Sequence, residues 1–236
     1  MCWGLAASAA MVAAGAAGTA LTLRRGEPWA IPATLAYFAV MEALQVGGYA
    51  TLGACGTPAN RAVTAASYLH IVFQPLLINA FAMAIAPQPV TAPMRRAVYA
   101  LAALASAALL LRLVPIPALG PCVAGTSMCA DAFCTRAGAW HIAWEVPLNG
   151  GLQALAGSWV EFPAYFLAVF ALPLAYGAWR FVVLHALLGP ILAWTLTSDP
   201  DEMPAIWCLV SVGILGIALS PTVRHRVMGA RSAWGR

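Results

Sequence analysis

What most limits the fold of this chain is how little ionisable chemistry interrupts its apolar stretches. Charged residues occupy 8% of the 236 positions and hydrophobic ones 62%, against roughly 25% charged and about half apolar in a soluble domain. Such a chain cannot cover a water-facing surface. Its charges fall mostly in short clusters between long uncharged runs, as hydrocarbon demands, because a charge stranded at mid-bilayer costs several kcal/mol. Crossing the hydrocarbon takes about 20 apolar residues in a helix, and only helices or closed barrels satisfy their own backbone there. Seven stretches qualify, at 2–23, 29–52, 62–86, 97–114, 159–176, 181–197 and 205–220, and barrel-type alternation is absent. The expected fold is an all-α, polytopic transmembrane helical bundle, one domain over 1–236.

Arginine placement orients the bundle, since cytoplasmic connections carry the excess of basic residues. Arg24 and Arg25 follow the first stretch, Arg95 and Arg96 the third, Arg180 the fifth, and Arg224, Arg226, Arg231 and Arg236 the last. That pattern predicts seven spans with the N terminus outside and a basic cytoplasmic tail at 221–236, in a bacterial inner (plasma) membrane. The remaining connections hold Arg61 and Arg136, with Arg112 near a span end, and the sixth holds Asp199, Asp201 and Glu202. The net charge of +4 therefore reflects topology and predicts no nucleic-acid partner. Basic residues follow the first stretch rather than precede it, so it reads as a retained span. Lysine is absent, which excludes a retinal Schiff base. The segment 140–156 is long enough for an eighth span, but it contains His141, Glu145, Pro147, Asn149 and Gln153. It is expected as a re-entrant or interfacial helix on the outer face.

The same topology puts Cys55, Cys122, Cys129 and Cys134 outside, where an oxidising compartment permits disulfides. The loop 115–139 holds three of them, and one or two bridges would staple a segment with little core of its own. Spacing leaves the connectivity open. A zinc site of Cys122, Cys129, Cys134 and His141 is the alternative, on spacings that match no zinc module.

Ionisable groups within a membrane bundle turn inward and often mark function. Glu42 and Gln45 share one helix face, His70 and Gln74 another, and His141 and Glu145 are four residues apart, with Asn149 one turn further. By depth, Glu42, Gln45, His70, His141, Glu145 and Glu202 fall in the outer half, and His185 falls nearer the cytoplasmic side. Imidazole with carboxylate suits zinc or non-haem iron, which could make a nucleophile of bound water. The leading expectation is thus a membrane-embedded, metal-dependent hydrolase or oxidoreductase acting on a lipid or other apolar substrate from outside. His70, His141 and Glu145 would be the ligands, and Glu42 with Gln45 the catalytic pair. Gln74, Asn149, His185 and Glu202 are secondary candidates. One rival is a proton-coupled permease using Glu42, His70 and His185. Another is a haem- or pigment-binding subunit with His70 and His185 as axial ligands, which would join a larger membrane complex. Homo-oligomers are equally compatible, and each of these polar groups also has a purely structural reading as an interhelical hydrogen bond.

Several local strings recur together: Met1-Cys2-Trp3, Met41-Glu42-Ala43-Leu44-Gln45, Tyr68-Leu69-His70-Ile71 with Phe73-Gln74-Pro75, Trp140-His141-Ile142-Ala143-Trp144-Glu145, and Ala205-Ile206-Trp207-Cys208. As a set, over nearly the whole chain, they resemble an uncharacterised family of small seven-span membrane proteins, a domain of unknown function. The resemblance implies an architecture and no activity.

Overall fold

Helix boundaries follow local chemistry. Thr57 accepts the Asn60 N–H at 3.4 Å ahead of Pro58, and Thr91 precedes a helix with proline in its first turn. Both are ordinary helix starts. The computed structural model describes residues 3–151, 161–208 and 210–228. Over these the chain forms α1 (Leu5–Arg24), α2 (Ala30–Ala50), α3 (Pro58–Ala84) and α4 (Ala92–Leu111). A hairpin of β1 (Cys134–Ala137) and β2 (Ile142–Glu145) follows. Then come α5 (Pro163–Ala175) and α6 (Trp179–Leu196), α7 (Met203–Trp207), α8 (Val210–Leu219) and α9 (Pro221–Met228). Five helices, α1 to α4 and α6, are long and apolar enough to cross a membrane. A sixth is reached if Met203–Leu219 and Pro221–Val227, bent by 107° against each other, count as one.

The helices α1 to α4 pack each against the next, with small residues at the closest approach: a Cβ on Gly15 would lie 2.8 Å from that of Ala39. Close backbone contact of this kind replaces the hydrophobic effect where lipid is the solvent. Both later helices widen to a π turn, α5 at Leu167–Ala171 and α6 at Leu187–Ile191. In α6 the cause is Pro190, which has no N–H to give. Beside it Gly189 leaves room for the Trp207 indole, into which any Cβ would collide. In α5 the loosened Ala168 carbonyl accepts the Asn79 amide at 2.8 Å, tying α5 to α3.

The hairpin is the main departure from an all-α expectation. β1 and β2 pair antiparallel, Cys134 opposite Glu145 and Ala137 opposite Ile142. The segment 140–156 is therefore not a helix over its described part, and 152–156 lie outside the described residues. The physical reason is long-range: the Asn60 side chain exchanges two hydrogen bonds with the Thr135 backbone, at 2.9 and 3.0 Å. Thr64 and Thr135 hydroxyls meet at 2.7 Å. The start of α3 thus presents a strand-like edge to β1, while Pro147 and the Gly150-Gly151 pair oppose helix formation further on. Disulfides Cys55–Cys134 and Cys122–Cys129 staple this end, which rules out a zinc site on those thiols. The opposite end holds most of the described arginines, Arg24, Arg25, Arg95, Arg96, Arg180, Arg224 and Arg226. Arg224 pairs with Glu27 at 3.0 Å, both buried, and Arg180 reaches the Arg226 carbonyl at 3.1 Å. The expected basic tail thus begins as a helix docked on the bundle, with 229–236 outside the described residues.

Candidate functional site

The residues expected to share a metal occupy separate settings. On α2, Glu42 accepts the Ser211 hydroxyl at 3.2 Å through Oε1, and its Oε2 is buried with no hydrogen-bond partner among the described residues. One turn on, Gln45 accepts from Ser8 at 3.2 Å, and Ser8 from the Trp3 indole at 3.0 Å. These contacts hold α1, α2 and α8 together. On α3, His70 stacks on Tyr37 with ring centroids 3.8 Å apart. Its Nε2 lies 2.7 Å from the Tyr37 carbonyl, and the Tyr37 hydroxyl donates to the His70 carbonyl. A carbonyl only accepts, so Nε2 carries the hydrogen, and His70 is a clasp between α2 and α3. His141 lies in the hairpin turn between the Trp3 and Tyr49 rings. Its Nδ1 accepts the Ile142 N–H at 2.7 Å, which places the ring hydrogen on Nε2. Burial lowers its pKa from the usual value to about 3.

Glu145 goes elsewhere, to Arg136 at 2.6 Å. The four-residue spacing that suggested a common ligand face assumed a helix, where it rises about 6 Å; along extended chain it covers about 13 Å. Among the described residues no three His, Cys, Asp or Glu side chains converge to hold a metal. The expected zinc or iron site on His70, His141 and Glu145 is not formed.

Charge at the hairpin end is neutralised within itself. Arg136 binds Glu145, Asp199 at 2.7 Å and Asp201 at 2.9 Å. Burial works against the Asp199 carboxylate, but Arg136 and neighbouring N–H groups outweigh it and lower its pKa, whereas burial raises that of Asp201. Glu202, fully buried, accepts from the Ala139 and Trp140 N–H groups at 3.2 and 2.6 Å, from that of His141, and from the Thr197 hydroxyl at 2.5 Å. It anchors the hairpin turn. Asn149 likewise donates to the Leu111 and Val114 carbonyls at 2.8 Å each, capping the end of α4.

A ligand-sized feature does occur, between α3, α4, α5, α6 and α7. A cavity of about 140 Å³ is walled by Ile71, Leu109, Phe162, Phe166 and Val210 and bordered at one side by Ser127 and Glu161. Three polar groups converge on it. The Tyr165 hydroxyl donates to Gln74 Oε1, and Gln74 Nε2 reaches the Cys208 thiol at 3.9 Å. Trp207, another lining residue, donates its indole N–H to His185 Nε2 at 3.0 Å. His185 is thereby a support for the wall, packed on Phe170 with centroids 4.9 Å apart. Both π turns abut this region, with Pro190 of the second in its lining.

A family of unknown function (DUF5765) matches residues 6–228. The chain belongs to that family. No curated protein and no solved structure matches it. In this DUF5765 member the match runs from α1 through α9, so it covers the residues of the hairpin and of the cavity. Of the cavity's polar groups only Gln74 stands out in sequence; Tyr165 and Cys208 sit in apolar runs where neither looks ionisable, and no signal short of the fold brings them to Gln74.

Proposed function

We propose that this protein is a seven-span membrane protein that binds an apolar, lipid-class molecule in the cavity floored by Gln74, Tyr165 and Cys208. The N terminus and hairpin face outward and the C terminus faces the cytoplasm. In this reading α5 and the α7–α8 segment complete the crossings. Supporting it, the disulfides gather at one end and Arg24, Arg25, Arg95, Arg96, Arg180 and Arg226 at the other, as the distribution of basic residues across membranes requires. At 13 residues α5 rises about 20 Å, so it crosses only with its flanking chain.

The observation that carries the binding reading is the cavity itself, apolar walls with a few convergent polar groups, which is the usual character of a small-molecule site. Its volume, about 140 Å³, is close to that of an apolar cavity of about 150 Å³ known to take benzene. It holds one ring or the last few carbons of a chain, with a hydroxyl or carbonyl placed on Gln74 and Tyr165. With the metal ligands dispersed, binding is favoured over metal-dependent catalysis. Cys208 gives a native reporter, since among the described residues it is the free cysteine. In a Cys2→Ser background in nanodiscs, a short N-alkyl maleimide should modify Cys208, apolar solutes should protect it, and Ala193→Trp should block it. A thiol that reacts only after denaturation would overturn the proposal.

A further inference from the structure

A second cavity, of about 280 Å³, adjoins the first and shares Leu109, Glu161 and Phe162 with it. Its lining includes Arg112, the residue directly after α4. Arg112 is only 8% exposed. Its Nε donates to the Asn149 carbonyl at 3.0 Å and its Nη1 to the Glu161 carbonyl at 2.8 Å, with the guanidinium 4.8 Å over the Phe162 ring. Gly151, at φ 52°, crosses the side chain so closely that a Cβ there would lie 2.7 Å from Arg112 Cδ. The fork is thus held from four sides.

What holds it forms no ion pair with it, and the Glu161 carboxylate attracts it only at longer range. Nη2 has no acceptor and no carboxylate lies at salt-bridge distance, among the described residues. The Glu161 carboxylate is engaged by the Ser127 N–H at 3.1 Å. The carbonyls at the end of α4, which would repel an anion, are taken up by Asn149: Leu111 and Val114 by its side chain, Arg112 by its N–H at 2.8 Å. A buried cation is costly unless paired, and a guanidinium fork matches an oxyanion in charge and shape.

We propose that Arg112 binds the oxyanion of an amphiphile, a lipid phosphate or a fatty-acid carboxylate, whose apolar part enters the neighbouring cavity. This rests on the apolar-binding reading above. The two cavities then serve one molecule, the polar group at the rim of α4 and the apolar tip at Gln74, Tyr165 and Cys208.

The test is native mass spectrometry of the full chain exposed in turn to phosphatidic acid, a long-chain fatty acid, a neutral diacylglycerol and inorganic phosphate. Retention of either anionic amphiphile over the neutral lipid by on the order of tenfold is expected, since a charge-assisted hydrogen bond contributes about that much. Which of the two is retained better separates phosphate from carboxylate. Arg112→Gln should erase the preference and Arg112→Lys keep part of it. Should Arg112→Gln fail to fold, Ala108→Trp fills the second cavity while leaving the guanidinium in place, and should erase the preference while Cys208 stays reactive. Equal retention of anionic and neutral lipids overturns the Arg112 assignment alone. Binding of inorganic phosphate without lipid preference makes it a small-anion site and also overturns it. An unreactive Cys208 with no lipid of any kind retained overturns the underlying binding reading as well.

Discussion

The hairpin end and the interior of the bundle differ in how fully their charged groups are paired. At the hairpin, Glu202 collects four donors and Arg136 three carboxylates, and two disulfides lie alongside. Among the described residues, Glu42 Oε2, Gln45 Nε2 and the Nδ1 atoms of His70 and His185 are buried without partners inside, and so are His141 Nε2, Trp144 Nε1 and Asp201 Oδ1 at the hairpin end. The carboxylates at the end are paired with an arginine or with backbone N–H groups, whereas Glu42 inside has the Ser211 hydroxyl. Density of ionisable residues is therefore a poor guide to function in this fold.

The comparison breaks most visibly at Glu202. Glu202→Ala strands three backbone N–H groups in the hairpin turn and should cost about 3 to 5 kcal/mol, as loss of one partner from a buried charged cluster does. Proteolysis within 137–146 under native conditions checks it; an uncut hairpin would show that the disulfides alone suffice. Opening the bridges ranks next. Removing Cys55–Cys134, which closes 79 residues, should cost about 2 kcal/mol more than removing Cys122–Cys129, which closes 7, if closure entropy governs. Denaturant midpoints of the paired Cys→Ser variants decide this.

A pH effect of similar or smaller size belongs to His141. Its folded pKa, about 3, lies below the ordinary value, so between these limits the unfolded chain binds a proton that the folded one does not. Stability is complete above pH ~6.5 and declines as pH falls, by about 2 kcal/mol at pH 5. His141→Phe should flatten that slope, and a slope that persists would assign it to another group whose folded pKa is lowered. The smallest effect is expected inside: Glu42→Gln keeps an acceptor for Ser211 and should shift stability by under about 1 kcal/mol without changing Cys208 labelling. Loss of labelling would instead make Glu42 part of the cavity's chemistry.

Much of this was legible in the amino-acid order. Uninterrupted apolar length is a one-dimensional property, and it located α1 to α4 and α6. The cysteines outside the spans announced bridges, though not their partners. What failed was the inference from four-residue spacing. His141 and Glu145 fit one helix face as well as they fit extended chain, and the choice was made by Asn60 and Thr64, some 75 positions away. The cavity was hidden for a different reason. Gln74 is conspicuous in an apolar helix, but Tyr165 and Cys208 become a binding floor only when α3, α5 and α7 meet. Arg112 looked like a span-end residue until Asn149 and Gly151 folded over it.

The pairing of Glu27 with Arg224 has a consequence in time. These residues are separated by 197 positions, so at about 5 to 20 residues synthesised per second the carboxylate waits roughly 10 to 40 s for its partner. During that interval the turn between α1 and α2 carries a carboxylate that the finished bundle keeps buried, and α1 and α2 can settle against each other without being locked together at that end. The helix that carries Arg224 closes the connection between α1 and α2, making its arrival a checkpoint on assembly.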